Sequence, residues 1–193
     1  MDVFGMSGNS DPKARLVDGN SRFSKTVDHT HMTQLAKKEE PFVAILSCAD
    51  SRVDPAKIFS LSLGDAFIVR LAGNTASDPS IIGSLEYAVS HLQVKALLVL
   101  GHSDCGAARL AIEGSEGSEA GNLHHVMWSM HNAMVKLPNG KEKDPVAVAE
   151  MNVKLQMRLL VDGSSVIREA LSQERLTLLG AMFDISTGTV RFV

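Results

Sequence analysis

The chain of 193 residues is 45% apolar and 21% charged, with 19 Lys and Arg against 22 Asp and Glu for a formal charge of −3. Such a composition and length describe one globular domain, 1–193, with core enough to stand without disulfide staples. No run of either charge forms a nucleic-acid footprint, and no apolar stretch approaches the ~20 residues of a membrane helix, so neither nucleic acid nor membrane is an expected partner.

Residues 1–12 carry Asp2 and Asp11 and no Lys or Arg, unlike a secretory or transit segment, which makes the cytoplasm the expected address. The stretch 1–40 is helical in pattern but polar, with Leu16, Phe23 and Leu35 as scattered anchors. It reads as an arm that packs on its own domain or crosses to a second subunit. Apolar runs at 42–47, 66–71, 96–101 and 176–183 are near-continuous, the pattern of strands buried on both faces of a parallel sheet. Helical patterns at 54–59, 79–91 and 105–112 alternate with them, so the class is α/β. A small, polar stretch at 114–121 reads as a loop, and long helical patterns follow at 122–135 and 145–160. Turn formers at 184–188 then lead into a last strand, 190–193, at hairpin spacing, hence antiparallel. The expected fold is a mostly parallel sheet with an antiparallel edge strand, flanked by helices.

Ligands of open α/β sheets gather at the carboxyl ends of the strands. After the first run stands Cys48-Ala49-Asp50-Ser51-Arg52, and after the third His102-Ser103-Asp104-Cys105-Gly106, which together hold both cysteines of the chain. If these strands are neighbours, two thiolates and an imidazole converge as a Cys2His zinc set with an open fourth position, the pattern of a catalytic site. The same cysteines also fit small buried hydrophobes or a disulfide, the latter disfavoured in a reducing compartment. Asp50 and Arg52 alternate with Cys48 and can face the same point; they fit equally a surface ion pair or a cap for the helix near Asp54.

These strings carry a resemblance. With Gly19-Asn20-Ser21-Arg22-Phe23, Gly64-Asp65, Val69-Arg70, Ser84-Leu85-Glu86-Tyr87-Ala88-Val89 and the segment 180–192, they make the chain resemble the β-class carbonic anhydrases over nearly its whole length. The resemblance implies one Zn2+ per chain held by Cys48, His102 and Cys105, and a homodimer or dimer of dimers. It also implies reversible hydration of carbon dioxide to bicarbonate and a proton by zinc-bound hydroxide, the metal having lowered the pKa of its water toward ~7. Asp50 would accept the hydrogen bond of that hydroxide and aim it, and Arg52 would clamp Asp50 through a fork that Lys cannot reproduce.

Family members that close the site with this aspartate under bicarbonate control use a Trp, an Arg and a Tyr. Arg70 matches the arginine, but Ile45 stands at the Trp position, so the open form without a bicarbonate switch is expected. The resemblance further places Phe67, Ala72 and Tyr87 at the walls of an apolar substrate cleft, with the Gly106 N–H addressing a substrate oxygen. Ala72 is smaller than the usual Val. Glu39 stands where the family usually has a Gln that donates to substrate, and an ionised Glu only accepts. Glu39 and Ala72 keep alive an alternative on the same fold and metal, hydrolysis of carbonyl sulfide or carbon disulfide. From another class comes a zinc-stabilised interaction protein with vestigial chemistry. His124 and His125, after the loop at 114–121, could pass protons to buffer, but at helical positions they read first as solvent-facing or structural groups, as do His29 and His31.

Overall fold

The computed structural model describes residues 11–114 and 121–193; apart from Gly114 and Gly121, the loop expected at 114–121 lies outside the described residues. The chain divides into two compact units, Met1–Glu39 and Glu40–Val193. The first holds α1 (Pro12–Thr26) and α2 (His29–Leu35). Asp11 caps α1 by accepting from the Lys13 and Ala14 amides, with Pro12 pre-set in its first turn, and Asp28 caps α2 through the Thr30 and His31 amides. Neither helix buries a residue, and Leu16, Val17 and Phe23 lie exposed.

The second unit runs β1 (Val43–Cys48), α3 (Pro55–Ile58), β2 (Ala66–Leu71), a 3-10 turn (Ala72–Asn74), α4 (Pro79–Ser90), β3 (Ala96–His102), α5 (Gly106–Glu113), α6 (Leu123–Val135), α7 (Pro145–Gly163), α8 (Ser165–Ser172), β4 (Thr177–Phe183) and β5 (Val190–Phe192). The strands lie in the order β2-β1-β3-β4-β5. Every pair is parallel except β4 with β5, the sheet expected from the apolar runs.

Two differences have local causes. β2 is only partly buried rather than covered on both faces, because it is the edge strand. α8 was not expected: α7 continues to Gly163, and Ser164, which ends it, caps α8 with its hydroxyl on the Ile167 amide. A helix of 8 residues offers too few turns for its apolar period to stand out.

Side chains alternate across the sheet. Ala44, Leu46, Cys48, Leu97 and Val99 join the larger core cluster, with residues of α4 to α8; Val43, Ile45, Leu98, Leu100, Ala181 and Phe183 form a smaller core on the other face with Val53. α7 packs on β3 and β4 over two glycines. A Cβ at Gly101 would lie 2.6 Å from Val153 Cγ2, and one at Gly180 would lie 2.5 Å from Met157 Sδ and 3.1 Å from Val153 Cγ1. Glycine is the residue that admits so close an approach. Among the described residues, no helix is long and apolar enough to cross a membrane.

Candidate metal centre

β1 and β3 are neighbours in register, with Ser47 opposite Leu100, so the chain leaves both strands at the same level of the sheet. Cys48 ends β1 and His102 ends β3. Cys105 follows after a turn in which Asp104 adopts φ 57°, a left-handed conformation that Asp tolerates better than most residues. One metal-ligating atom each from Cys48, His102 and Cys105 lie within 4.8 Å of one another, and all three residues are buried. This is the convergence expected from the two motifs.

Each donor is prepared by its surroundings. His102 Nδ1 donates to the Ser103 carbonyl at 2.8 Å, which leaves the lone pair on Nε2, and Nε2 is buried without a hydrogen-bond partner. The Ser103 turn is tied to β4 through its amide on the Phe183 carbonyl and its hydroxyl, which accepts from the Ile185 amide. Gly73 N–H donates to Cys48 Sγ at 3.4 Å. Cys105 precedes α5, and the Ala108 and Ala107 amides in the first turn of that helix act to lower its thiol. The two thiols are driven apart in acidity: interaction with Cys105 holds Cys48 down to about 4 against the opposing effect of burial. The same interaction, together with burial, pushes Cys105 far up. A soft, partly deprotonated pair beside an imidazole lone pair is a donor set suited to zinc.

Beside the cluster, Arg52 grips Asp50. Nε donates to Oδ1 at 3.0 Å and Nη2 to Oδ2 at 2.7 Å, while the Arg52 amide also donates to Oδ1 at 2.9 Å. This fork, more than anything else, holds the Asp50 carboxyl well below the usual carboxylate range. The other edge of the guanidinium meets Asp104, with Nη1 to Oδ2 at 2.7 Å and Nη2 to the carbonyl at 3.1 Å, and Arg109 pairs with Asp104 from α5. Arg70 supports the loop from beneath, donating to the carbonyls of Cys48, Asp50 and Val53. Ile45 is buried in the core on the other face of the sheet from Cys48.

The remaining expected residues lie at varied places. Gly106 is the first residue of α5, exposed and next to Cys105; Ala72 is exposed, next to Gly73. Phe67 shares a face of the sheet with Cys48 but pairs with Ala44, four residues back along β1, which is about 13 Å of strand. Its ring meets Tyr87 at 6.1 Å between centroids; Tyr87 stacks on His91 at 5.1 Å and is 44% exposed. Within one chain these two rings are therefore not brought to the thiols. Glu39 is exposed and closes the first unit. His124 and His125 are exposed, with ring centroids 3.9 Å apart.

Sequence reasoning missed a buried amide network behind the site. Asn152 Nδ2 donates to the Gly73 carbonyl at 2.9 Å, and Asn152 Oδ1 accepts from Ser129 Oγ and Gln156 Nε2. Gln156 Oε1 accepts from the Ala76 amide at 2.8 Å. α7 thus holds the loop whose Gly73 amide reaches Cys48. The available signal was two amides at i, i+4 inside the buried stripe Val148, Ala149, Asn152, Val153, Gln156, Leu160.

A family model described as carbonic anhydrase matches residues 43–190. The chain belongs to the β-carbonic anhydrase family. Carbonic anhydrase 2 of Mycobacterium tuberculosis is 33% identical over 185 residues, which span 90% of this chain and 87% of that protein. The β-carbonic anhydrase of Coccomyxa, solved with acetazolamide, superposes with a TM-score of 0.83 at 27% identity, covering 95% of this chain and 87% of that one. A tetrameric β-carbonic anhydrase of Sordaria macrospora gives 0.78 at 27% identity, over 94% and 95% of the respective chains. Carbonic anhydrases are carbonate dehydratases, so membership makes this chain an enzyme of carbon dioxide hydration and sets aside the reading as an interaction protein.

Proposed function

We propose that the chain interconverts carbon dioxide and bicarbonate on one zinc ion held by Cys48, His102 and Cys105. The observation that carries this reading is the buried His102 Nε2, lone pair free, beside two buried thiols; a buried nitrogen left without a partner fits a metal ligand. Three protein donors of this kind suit zinc with one position left for chemistry. When bound, the metal supplies a nucleophile at neutral pH by acidifying water.

The chain's residues do the rest. Asp50, ionised and acceptor-only, takes the hydrogen bond of the nucleophile and turns a lone pair toward the substrate carbon. Arg52 keeps that carboxylate in place and away from the metal position, which supports the open form. Arg70 has its donors committed to backbone carbonyls and Ile45 replaces the Trp, so no bicarbonate switch operates. The Gly106 N–H, at the start of α5, addresses a substrate oxygen.

The active species is a homodimer or dimer of dimers. The exposed Leu16 and Phe23 of α1, a helix that buries no residue, and the exposed Tyr87, Trp128 and Val135 support it, since such apolar surface marks contact sites. Phe67 and Tyr87 act as cleft walls in that assembly. Two thiols required as ligands also favour a reducing address, the cytoplasm.

The test is a side-by-side rate assay of zinc-loaded protein on carbon dioxide and carbonyl sulfide, with acetazolamide as inhibitor and zinc stoichiometry measured. Fast hydration, lost by at least ~10-fold in Asp50→Asn with zinc retained, is the expected result. Preferential release of hydrogen sulfide would replace it with the sulfide-hydrolase reading that Glu39 and Ala72 favour. No turnover on either substrate at full zinc occupancy would overturn both.

A further inference from the structure

We infer that Asp104 is a positioning residue that pins Arg52, so that Arg52 in turn keeps Asp50 off the metal. The inference rests on the open-form reading above. The Arg52 side chain is 45% exposed, and an exposed ion pair with a single partner exchanges readily with water. Arg52 has a second partner on its opposite edge: Asp104 accepts through both a carboxylate oxygen and its carbonyl, 52 residues along the chain from Arg52. Asp104 is itself fixed, by Arg109 on its other oxygen and by its place in the turn between His102 and Cys105. The line of charge therefore alternates, Asp50, Arg52, Asp104, Arg109, and is anchored at Asp104, in the turn that carries two of the three donors. Geometry of this kind limits the guanidinium to one rotamer, the one whose fork faces Asp50.

Asp104 could instead only shape its turn, so the test uses variants that keep the turn. Asp104→Gly accepts φ 57° without strain and removes the carboxylate; Asp104→Asn keeps size and left-handed tolerance but not charge. Azide is titrated into cobalt-loaded protein of measured stoichiometry and followed by the cobalt absorption bands. The expected result is azide affinity lowered roughly tenfold in Asp104→Gly and less in Asp104→Asn, because a released Asp50 competes for the position. In an Asp50→Ala background, Asp104→Gly then leaves azide affinity unchanged. Equal affinities for wild type and Asp104→Gly, or the same loss in both backgrounds, overturn the inference while leaving the open form standing. A wild-type protein that takes no azide overturns the open form and the inference with it.

Discussion

Asn152→Leu strikes the amide network behind the metal centre at its hub. Asn152 is fully buried and makes three short hydrogen bonds, to the Gly73 carbonyl at 2.9 Å and from Ser129 Oγ at 3.0 Å and Gln156 Nε2 at 2.9 Å. Leucine fills a similar volume and makes none of them. Gln156 Nε2 still donates to Ser129 Oγ, so at least two groups, the Gly73 carbonyl oxygen and the Ser129 O–H, are left without their partner. At ~1–3 kcal/mol for each orphaned group the loss is about 2–6 kcal/mol, a large share of the ~5–15 kcal/mol of a typical fold. For a chain of this size each kcal/mol moves Tm by about 2–4 °C, so a fall of at least about 4 °C is expected in calorimetry of the zinc-loaded protein. The same change loosens the turn that aims Gly73 N–H at Cys48, and zinc affinity measured by chelator competition falls by roughly tenfold. A Leu variant that melts within about a degree of wild type and binds zinc equally well would refute the coupling of α7 to the metal centre.

Gly101→Ala places a methyl 2.6 Å from Val153 Cγ2, a buried β-branched side chain on a helix with little rotamer freedom to yield. Overpacking of this kind costs ~1–3 kcal/mol, and urea midpoints should show it. Metal-free protein should carry one thiolate per chain at neutral pH by ultraviolet titration, from Cys48 lowered and Cys105 raised; two or none would contradict that split. The sign for stability follows from the same pair: Cys48, at about 4 when folded against 9.0 unfolded, makes the metal-free fold lose stability as pH falls from the higher value to the lower. Cys105 is shifted upward, so above the unfolded value the trend reverses. Urea midpoints that rise as pH drops between 9.0 and about 4 would refute this. Stripping zinc with a chelator should lower Tm, since free metal at ~1,000 times its Kd contributes about 4.1 kcal/mol; an unchanged melting curve would separate the metal from the fold.

The grouping of the candidate donors and the sheet were legible because both depend on local signals. Apolar runs mark strands, and function in open α/β sheets collects where the strands end, so Cys48, His102 and Cys105 announced themselves. Whether a run is central or at an edge depends on its neighbours, which is why β2 read as fully buried. The roles of Asn152 and Gln156 were hidden for a related reason: their partners Gly73 and Ala76 lie 79 and 80 residues away, and no period in the sequence links them. Asp104 stood in its motif without a role, which became visible only where the turn placed its carboxylate on Arg52. The cleft residues Phe67 and Tyr87 came from resemblance alone, and a single chain does not carry them to the thiols.

The two glycines beneath α7 have a meaning beyond compactness. With no side chain at Gly101 or Gly180, Val153 rests almost on the strands, and this sets the height at which Asn152, one residue earlier on the same helix, meets the Gly73 carbonyl. The spacing between helix and sheet is thereby transmitted to the amide that faces Cys48. Affinity for a metal at these donors would then be in part a gauge of core thickness: a methyl group added under α7 at Gly180, on a strand that carries none of the three donors, would lift the helix and slacken the loop that faces Cys48. Stabilising substitutions sought in this core are best chosen among those that preserve that spacing.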